Sequence, residues 1–192
     1  GSPNDLYLIG VNPGGNPVGQ ADETVARHMG KVLAGREAWS EYLDESWKGA
    51  PPGTFGMQPR VLHMLRRLSL DPRTTPASNL VFLRSSRESG IDGTEMKWLA
   101  QLCWPVHQAV LEKLRPRVIV CFGRTAGAYV RSRLGADLPV LDFVENNARR
   151  WRSTAHANQM GVTVVTVTHP SIADWTSPAA DPTSLVQSML SR

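Results

Sequence analysis

Apolar positions along the chain fall in short runs that stop at breakers, separated by stretches with helical spacing. Leu6 to Val11 is the first run, ended by Asn12, Pro13, Gly14, Gly15, Asn16 and Pro17. A run apolar at every position reads as a strand covered on both faces, as in parallel sheets. Proline supplies no ladder donor and glycine permits close backbone approach, so the strand ends there and a loop begins. Ser78–Leu83 and Arg117–Phe122 repeat the pattern. The last run, Val162–Thr168, leads into His169-Pro170-Ser171. Trp151–Ala157 can pair with it as a β-hairpin around 158–161, and 136–161 otherwise shows little regular pattern.

Between these runs the period changes to that of helices. Asp22–Ala34 carries Val25, Met29, Val32 and Leu33 at helical spacing, with Gly35 as a stop. Pro59–Leu68 has Val61, Leu62, Leu65 and Leu68 on one stripe and Arg60, Arg66 and Arg67 facing outward, and Pro59 suits a first turn. Thr94–Leu114 is a long helix that Pro105 is expected to bend or split. Thr125–Leu134 and Thr183–Leu190 complete the set. Residues 36–56, with Trp39, Tyr42, Trp47 and Phe55 among breakers, form a long surface segment of the kind that carries function.

The order β-α-β-α-β-α-β predicts a three-layer α/β/α sandwich around a central, mostly parallel four-stranded sheet. At 192 residues the whole chain, 1–192, is expected to be a single domain. Hydrophobic content of 41% and charged content of 20% are ordinary for a globular protein, and no apolar run is long enough to cross a bilayer. The net charge of +4 comes mainly from arginine and is compatible with nucleic acid, which rewards phosphate neutralisation. The two cysteines, Cys103 and Cys121, cannot build a metal cage and read as reduced thiols of a cytoplasmic protein.

In open α/β sheets ligands bind just beyond the carboxyl ends of the strands, and Asn12 and His169 both fall at such an end. Taken singly, Asn-Pro-Gly after a strand is a turn, and a histidine at a strand end is a hydrogen-bonded structural residue. The pair is more informative. Gly10-Val11-Asn12-Pro13-Gly14 after the first strand, with His169-Pro170-Ser171 after the last, resembles the uracil-DNA glycosylase superfamily. The asparagine version of the first motif is similar to its single-strand-selective monofunctional and mismatch-specific branches. Ser78–Arg84 and Leu114–Gly123 look like the iron–sulfur thermophilic-type branch. Cys103 falls near one of that branch's cluster ligands, but Leu83 stands where another is expected. Two cysteines exclude a Cys₄ site, so no cluster, other metal or cofactor is expected. Gly53-Thr54-Phe55-Gly56 resembles the single-strand-selective branch's Pro-Phe-Gly, which places Phe55 as a base-stacking aromatic.

The resemblance implies a monofunctional hydrolase that cleaves the N-glycosidic bond of uracil, or a related deaminated base, in DNA and so begins base excision repair. His169 would donate to uracil O2 as charge develops there, and Asn12 would hold the attacking water. No lysine is placed for a Schiff base, which argues against a lyase. A flipped base would stack on Phe55, lie against Gly10 and Val11, and be read by Asn79, whose amide matches uracil O4 and N3–H. Pro51, Pro52, Arg84, Arg87, Ser171, Ile172 and Trp175 are the expected DNA contacts. The partner implied is uracil-containing DNA, single- or double-stranded. The protein is expected to be a monomer without a membrane partner, in a bacterial-type cytoplasm and associated with the nucleoid through DNA.

One departure concerns the turn after His-Pro-Ser. There the family carries a bulky wedge, and this chain reads Ile172-Ala173-Asp174-Trp175. Ala173 is too small to fill the gap left by a flipped base, which leaves Ile172 or Trp175 for the task, or a single-stranded substrate. The same departure keeps open a second reading: a catalytically weak or inactive member that binds uracil-containing or abasic nucleic acid. A phosphate cradle at Gly10–Gly15 lacks both the Gly-Lys-Ser/Thr ending and the Gly-x-Gly-x-x-Gly spacing. Serine hydrolase and zinc signatures are missing from the sequence.

Overall fold

The computed structural model describes residues 5–34 and 38–192. The expected stop at Gly35 lies outside them. In chain order the elements are β1 (Leu6–Gly10), α1 (Val25–Leu33), α2 (Gln58–Arg67), β2 (Ala77–Asn79), α3 (Gly93–Leu114), β3 (Val118–Phe122), α4 (Arg124–Leu134), β4 (Leu138–Val144), β5 (Arg152–Ala157), β6 (Thr163–Val167) and α5 (Thr183–Leu190). They build one six-stranded sheet in the order β2-β1-β3-β6-β5-β4. The first four strands in that order are parallel, and β5 and β4 are antiparallel to their neighbours. The expected four-stranded sheet is therefore corrected to a mixed sheet of six. The β5–β6 hairpin matches the pairing read from sequence. Strand β4 was not foreseen: its side chains are mostly exposed, so no core periodicity marks it.

Alternation within β1 and β3 explains the layers. Leu6 and Leu8 join Val118, Val120 and Phe122 in a core covered by Val61, Met64 and Leu65 of α2 and Leu185, Val186 and Met189 of α5. Tyr7 and Ile9 face the other way with Ile119 and Cys121, beneath Leu99, Cys103 and Trp104 of α3 and Ala126 and Val130 of α4. All five residues of each strand are buried. Burying a side chain of the leucine or valine class contributes roughly 1.5–3 kcal/mol, which is why a strand apolar at every position settles between two helical layers. Burial pushes the Cys121 thiol and the Tyr7 phenol up, the latter to about 12.

Helix α3 runs unbroken through Pro105. The proline and Gln101, whose carbonyl loses its partner, both lie on the exposed face, where water can satisfy that group. Asp92 caps the helix by accepting from the N–H groups of Thr94 and Glu95 at 2.7 and 3.0 Å. Among the described residues, no helix is long and apolar enough to cross a membrane.

Candidate active site

The parallel strands β2, β1, β3 and β6 end along one edge of the sheet, and their carboxyl ends carry Asn79, Asn12, Gly123 and His169 respectively. Asn12 lies two residues past β1 and His169 two past β6, with β3 between them. Two inter-strand spacings separate β1 from β6, roughly 10 Å.

Asn12 is half-buried, and its amide nitrogen donates to three acceptors: Ser85 Oγ at 2.8 Å, the Pro13 carbonyl at 3.1 Å and the Leu83 carbonyl at 3.4 Å. Carbonyl oxygens can only accept, and the Ser85 hydroxyl spends its proton on the Arg87 carbonyl at 2.6 Å. The network therefore admits one orientation of the carboxamide, with nitrogen toward the β2 loop and Oδ1 directed away from it.

His169 is constrained in a complementary way. The backbone N–H of Ser171 donates to Nδ1 at 3.1 Å, and Ser171 Oγ lies 2.8 Å from the same nitrogen. A nitrogen that accepts from an N–H carries no proton, so the neutral ring bears its proton on Nε2. The Phe122 ring meets the imidazole edge-on, with centroids 6.3 Å apart at 86°. Gly123 passes beneath with φ +91°, a conformation that L side chains rarely adopt.

The segment carrying His169 is fastened from several directions. Trp175 Nε1 donates to the Thr168 carbonyl at 3.2 Å, and Arg149 donates to the Ile172 carbonyl at 2.7 Å. Arg60 donates to the Pro170 carbonyl and lies 3.7 Å from Asp174. The Thr176 hydroxyl holds the Asp174 carboxyl below the usual carboxylate range, helped by the Thr176 N–H and Arg60. Arg60 was expected to face solvent, and instead anchors this turn.

Asn79 pairs in register with Gly10, whose missing side chain leaves room for it: a Cβ there would stand 2.5 Å from Asn79 Oδ1. The half-buried Asn79 side chain makes no hydrogen bond to another described residue. Beyond it, Leu80 and Val81 continue the ladder by donating to the carbonyls of Gly10 and Val11 at 2.8 and 3.0 Å. Val11 is buried at the end of β1.

Phe55 is 39% exposed, and the Lys48 ammonium lies 5.7 Å from its ring centroid. Its N–H donates to Gln58 Oε1 at 3.2 Å, which fixes it just before α2. Gln58, unremarked in the sequence, is fully buried and also donates to the carbonyls of Glu41 and Glu45 at 3.1 and 2.8 Å. It ties the aromatic segment to the helix.

The expected DNA contacts divide. Pro51, Pro52, Arg87, Ser171 and Ile172 are exposed. Trp175 is corrected: it is fully buried, stacked edge-on against Phe122 at 5.4 Å, and cannot reach a ligand at the surface. Arg84 already has partners in the protein. Its guanidinium donates to the Gly14 carbonyl and pairs with Glu23 at 2.8 Å, so it holds the first loop closed. Sequence reasoning missed Ser85, Gly123, Arg60 and Arg149 as parts of the site. The turn glycine after β3 was visible as such, whereas partners distant along the chain leave no local signal.

No family model matches the chain, and no curated protein matches it.

Proposed function

We propose that the protein is a monofunctional DNA glycosylase that hydrolyses the N-glycosidic bond of uracil or a related deaminated base, within the uracil-DNA glycosylase superfamily its motifs resemble. The observation that carries this reading is the pairing of fixed polarities at the sheet edge. The His169 ring is set as a donor through Nε2, and the Asn12 amide is set with its acceptor oxygen free of the β2 loop. Cleavage of the bond to uracil sends electron density onto the base, so a preset donor near O2 stabilises the transition state more than the ground state. A carboxamide oxygen orients water without taking its proton, so most of the barrier must fall through stabilisation of the departing base. The Asn79 side chain, which bonds no other described residue and lies over Gly10, offers both a donor and an acceptor to a base edge. Phe55 supplies an exposed aromatic face.

A second reading, binding of uracil-containing or abasic nucleic acid with little or no catalysis, is favoured by one observation. Trp175 and Ala173 are both fully buried, which leaves Ile172, 55% exposed, as the bulky apolar residue at the turn.

One experiment separates the two. Single-turnover release of uracil from a single-stranded oligonucleotide is measured beside DNA affinity for the native protein and for His169→Ala. The glycosylase reading expects the variant to lose about 10²–10³-fold in rate with affinity changed far less. Binding without release by the native protein would establish the second reading. Equal rates for the two proteins would exclude His169 as the donor.

A further inference from the structure

A concavity lies between the β2–α3 loop, α3 and α4. It has a volume of about 770 Å³ and is lined by neither Asn12 nor His169. Its walls are mainly apolar, including Leu80, Ile91 and Met96, and Tyr129 contributes an aromatic side chain. Arg87, from the loop, and Lys97, on α3, bring two cationic side chains to the same lining. Neither cation forms an ion pair or a side-chain hydrogen bond with another described residue, whereas Arg84 and Arg67 are taken up by Glu23 and Asp181. No acidic side chain among the described residues lines the cavity.

We propose that this cavity is a nucleotide-binding site, with the base lodged against the apolar wall and Tyr129 and the phosphate held by Arg87 and Lys97. The volume falls within the roughly 300–1,000 Å³ typical of small-molecule sites. Two cations with no ion-pair partner among the described residues match a phosphate monoester, which carries nearly two negative charges at neutral pH, better than a singly charged carboxylate. Arginine also offers the planar fork that suits phosphate oxygens. An aromatic side chain among apolar ones provides a stacking face for any base, which makes the site tolerant of base identity. The site is separate from the one proposed for Asn12 and His169, and its test is independent of theirs.

Calorimetric titration with thymidine 5′-monophosphate, thymidine and octanoate tests the assignment on the intact protein. The monophosphate should bind at least about tenfold more tightly than the nucleoside, because charge-assisted hydrogen bonds to phosphate are the stronger ones. Lys97→Glu and Arg87→Glu should each remove most of that advantage and leave thymidine binding little changed. Ala128 is exposed on α4 and lines the cavity, so Ala128→Trp should fill it and abolish binding of both while leaving the unfolding temperature near that of the native protein. His169→Ala should bind the monophosphate like the native protein. A uracil-free oligothymidylate bearing a 5′-phosphate identifies the source: displacement of the monophosphate would assign the site to the phosphorylated end of a strand, and failure to displace it would assign a free nucleotide. Absence of monophosphate binding, equal binding of octanoate and monophosphate, or undiminished binding by Ala128→Trp would each overturn the proposal.

Discussion

At the scale of single residues, what matters is which hydrogen-bonding group each side chain has already used. His169 has committed Nδ1 to Ser171, and Asn12 has committed its nitrogen to Ser85 and two carbonyls, so each presents one polarity. Asn79 has committed neither end of its amide to another described residue, which is what a residue that reads a base requires. Under the proposed chemistry it accepts from uracil N3–H and donates to O4. Asn79→Asp replaces the donor with an acceptor and should lower uracil release by about 1–3 kcal/mol of discrimination, or roughly 5- to 150-fold. The measurement is release of each base from otherwise identical single-stranded oligonucleotides, in which cytosine release should rise if it changes at all. Undiminished uracil release would take Asn79 out of base recognition. Asn12 and His169 were legible because a polar residue at the end of an apolar run stands out in the sequence. Trp175 and Arg84 were not legible in the same way. A tryptophan next to Asp174 gives no sign that it packs on Phe122, and Glu23 lies sixty-one positions from Arg84.

Between elements, the site depends on connections from one strand end to the next. Ser85 follows β2 but sets Asn12 after β1, since it accepts from the Asn12 amide while donating to the Arg87 carbonyl. Ser85→Ala removes the best of the three acceptors and leaves the amide free to turn. Under the proposed chemistry the expected result is about a tenfold fall in single-turnover rate, equivalent to roughly 1.4 kcal/mol, with DNA affinity nearly unchanged because that chemistry gives Asn12 a water to hold and no phosphate. If affinity fell as far as rate, Ser85 would be a binding residue and the tether argument would fail. The elements themselves were largely legible. Strands β1, β3 and β6 and helix α5 appear close to where apolar runs and helical spacing put them, whereas β2 is Ala77–Asn79 and overlaps the expected strand Ser78–Leu83 only at Ser78 and Asn79. Strand β4 escaped because exposed residues such as Leu138 and Leu141, with Pro139 among them, carry no buried face for a period to report. The continuity of α3 escaped because the cost of Pro105 depends on whether the freed carbonyl meets water or protein, which only the packed structure decides.

For the whole molecule, the two helical layers must stay in place on the sheet for its carboxyl edge to keep its shape, and Asp181 is a joint in one layer. Its side chain is 3% exposed, and the carboxylate accepts from the N–H and hydroxyl of Thr183 at the start of α5, from His63 Nε2 at 3.1 Å and from Arg67 on α2. Burial alone would raise its pKa, but these hydrogen bonds outweigh it and hold the carboxyl below its usual value. A carboxyl depressed in the folded state stabilises the fold above its unfolded value, near 3.9, and that contribution is lost as pH falls through the folded value. Asp181→Asn keeps the shape and removes the charge. It should cost about 1–3 kcal/mol near neutral pH, the range for charge-assisted hydrogen bonds weakened or left unmade. Arg67 is half-exposed and can turn to water in the variant, which keeps the loss below that of a fully buried pair. Denaturant unfolding of the native protein and the variant from pH 7 down to pH 2 provides the check. The gap between them should be constant at neutral pH and close progressively below about pH 4, as the native carboxylate takes up its proton. A gap that stayed the same through that range would show that the stabilisation comes from packing around residue 181 and owes nothing to its charge.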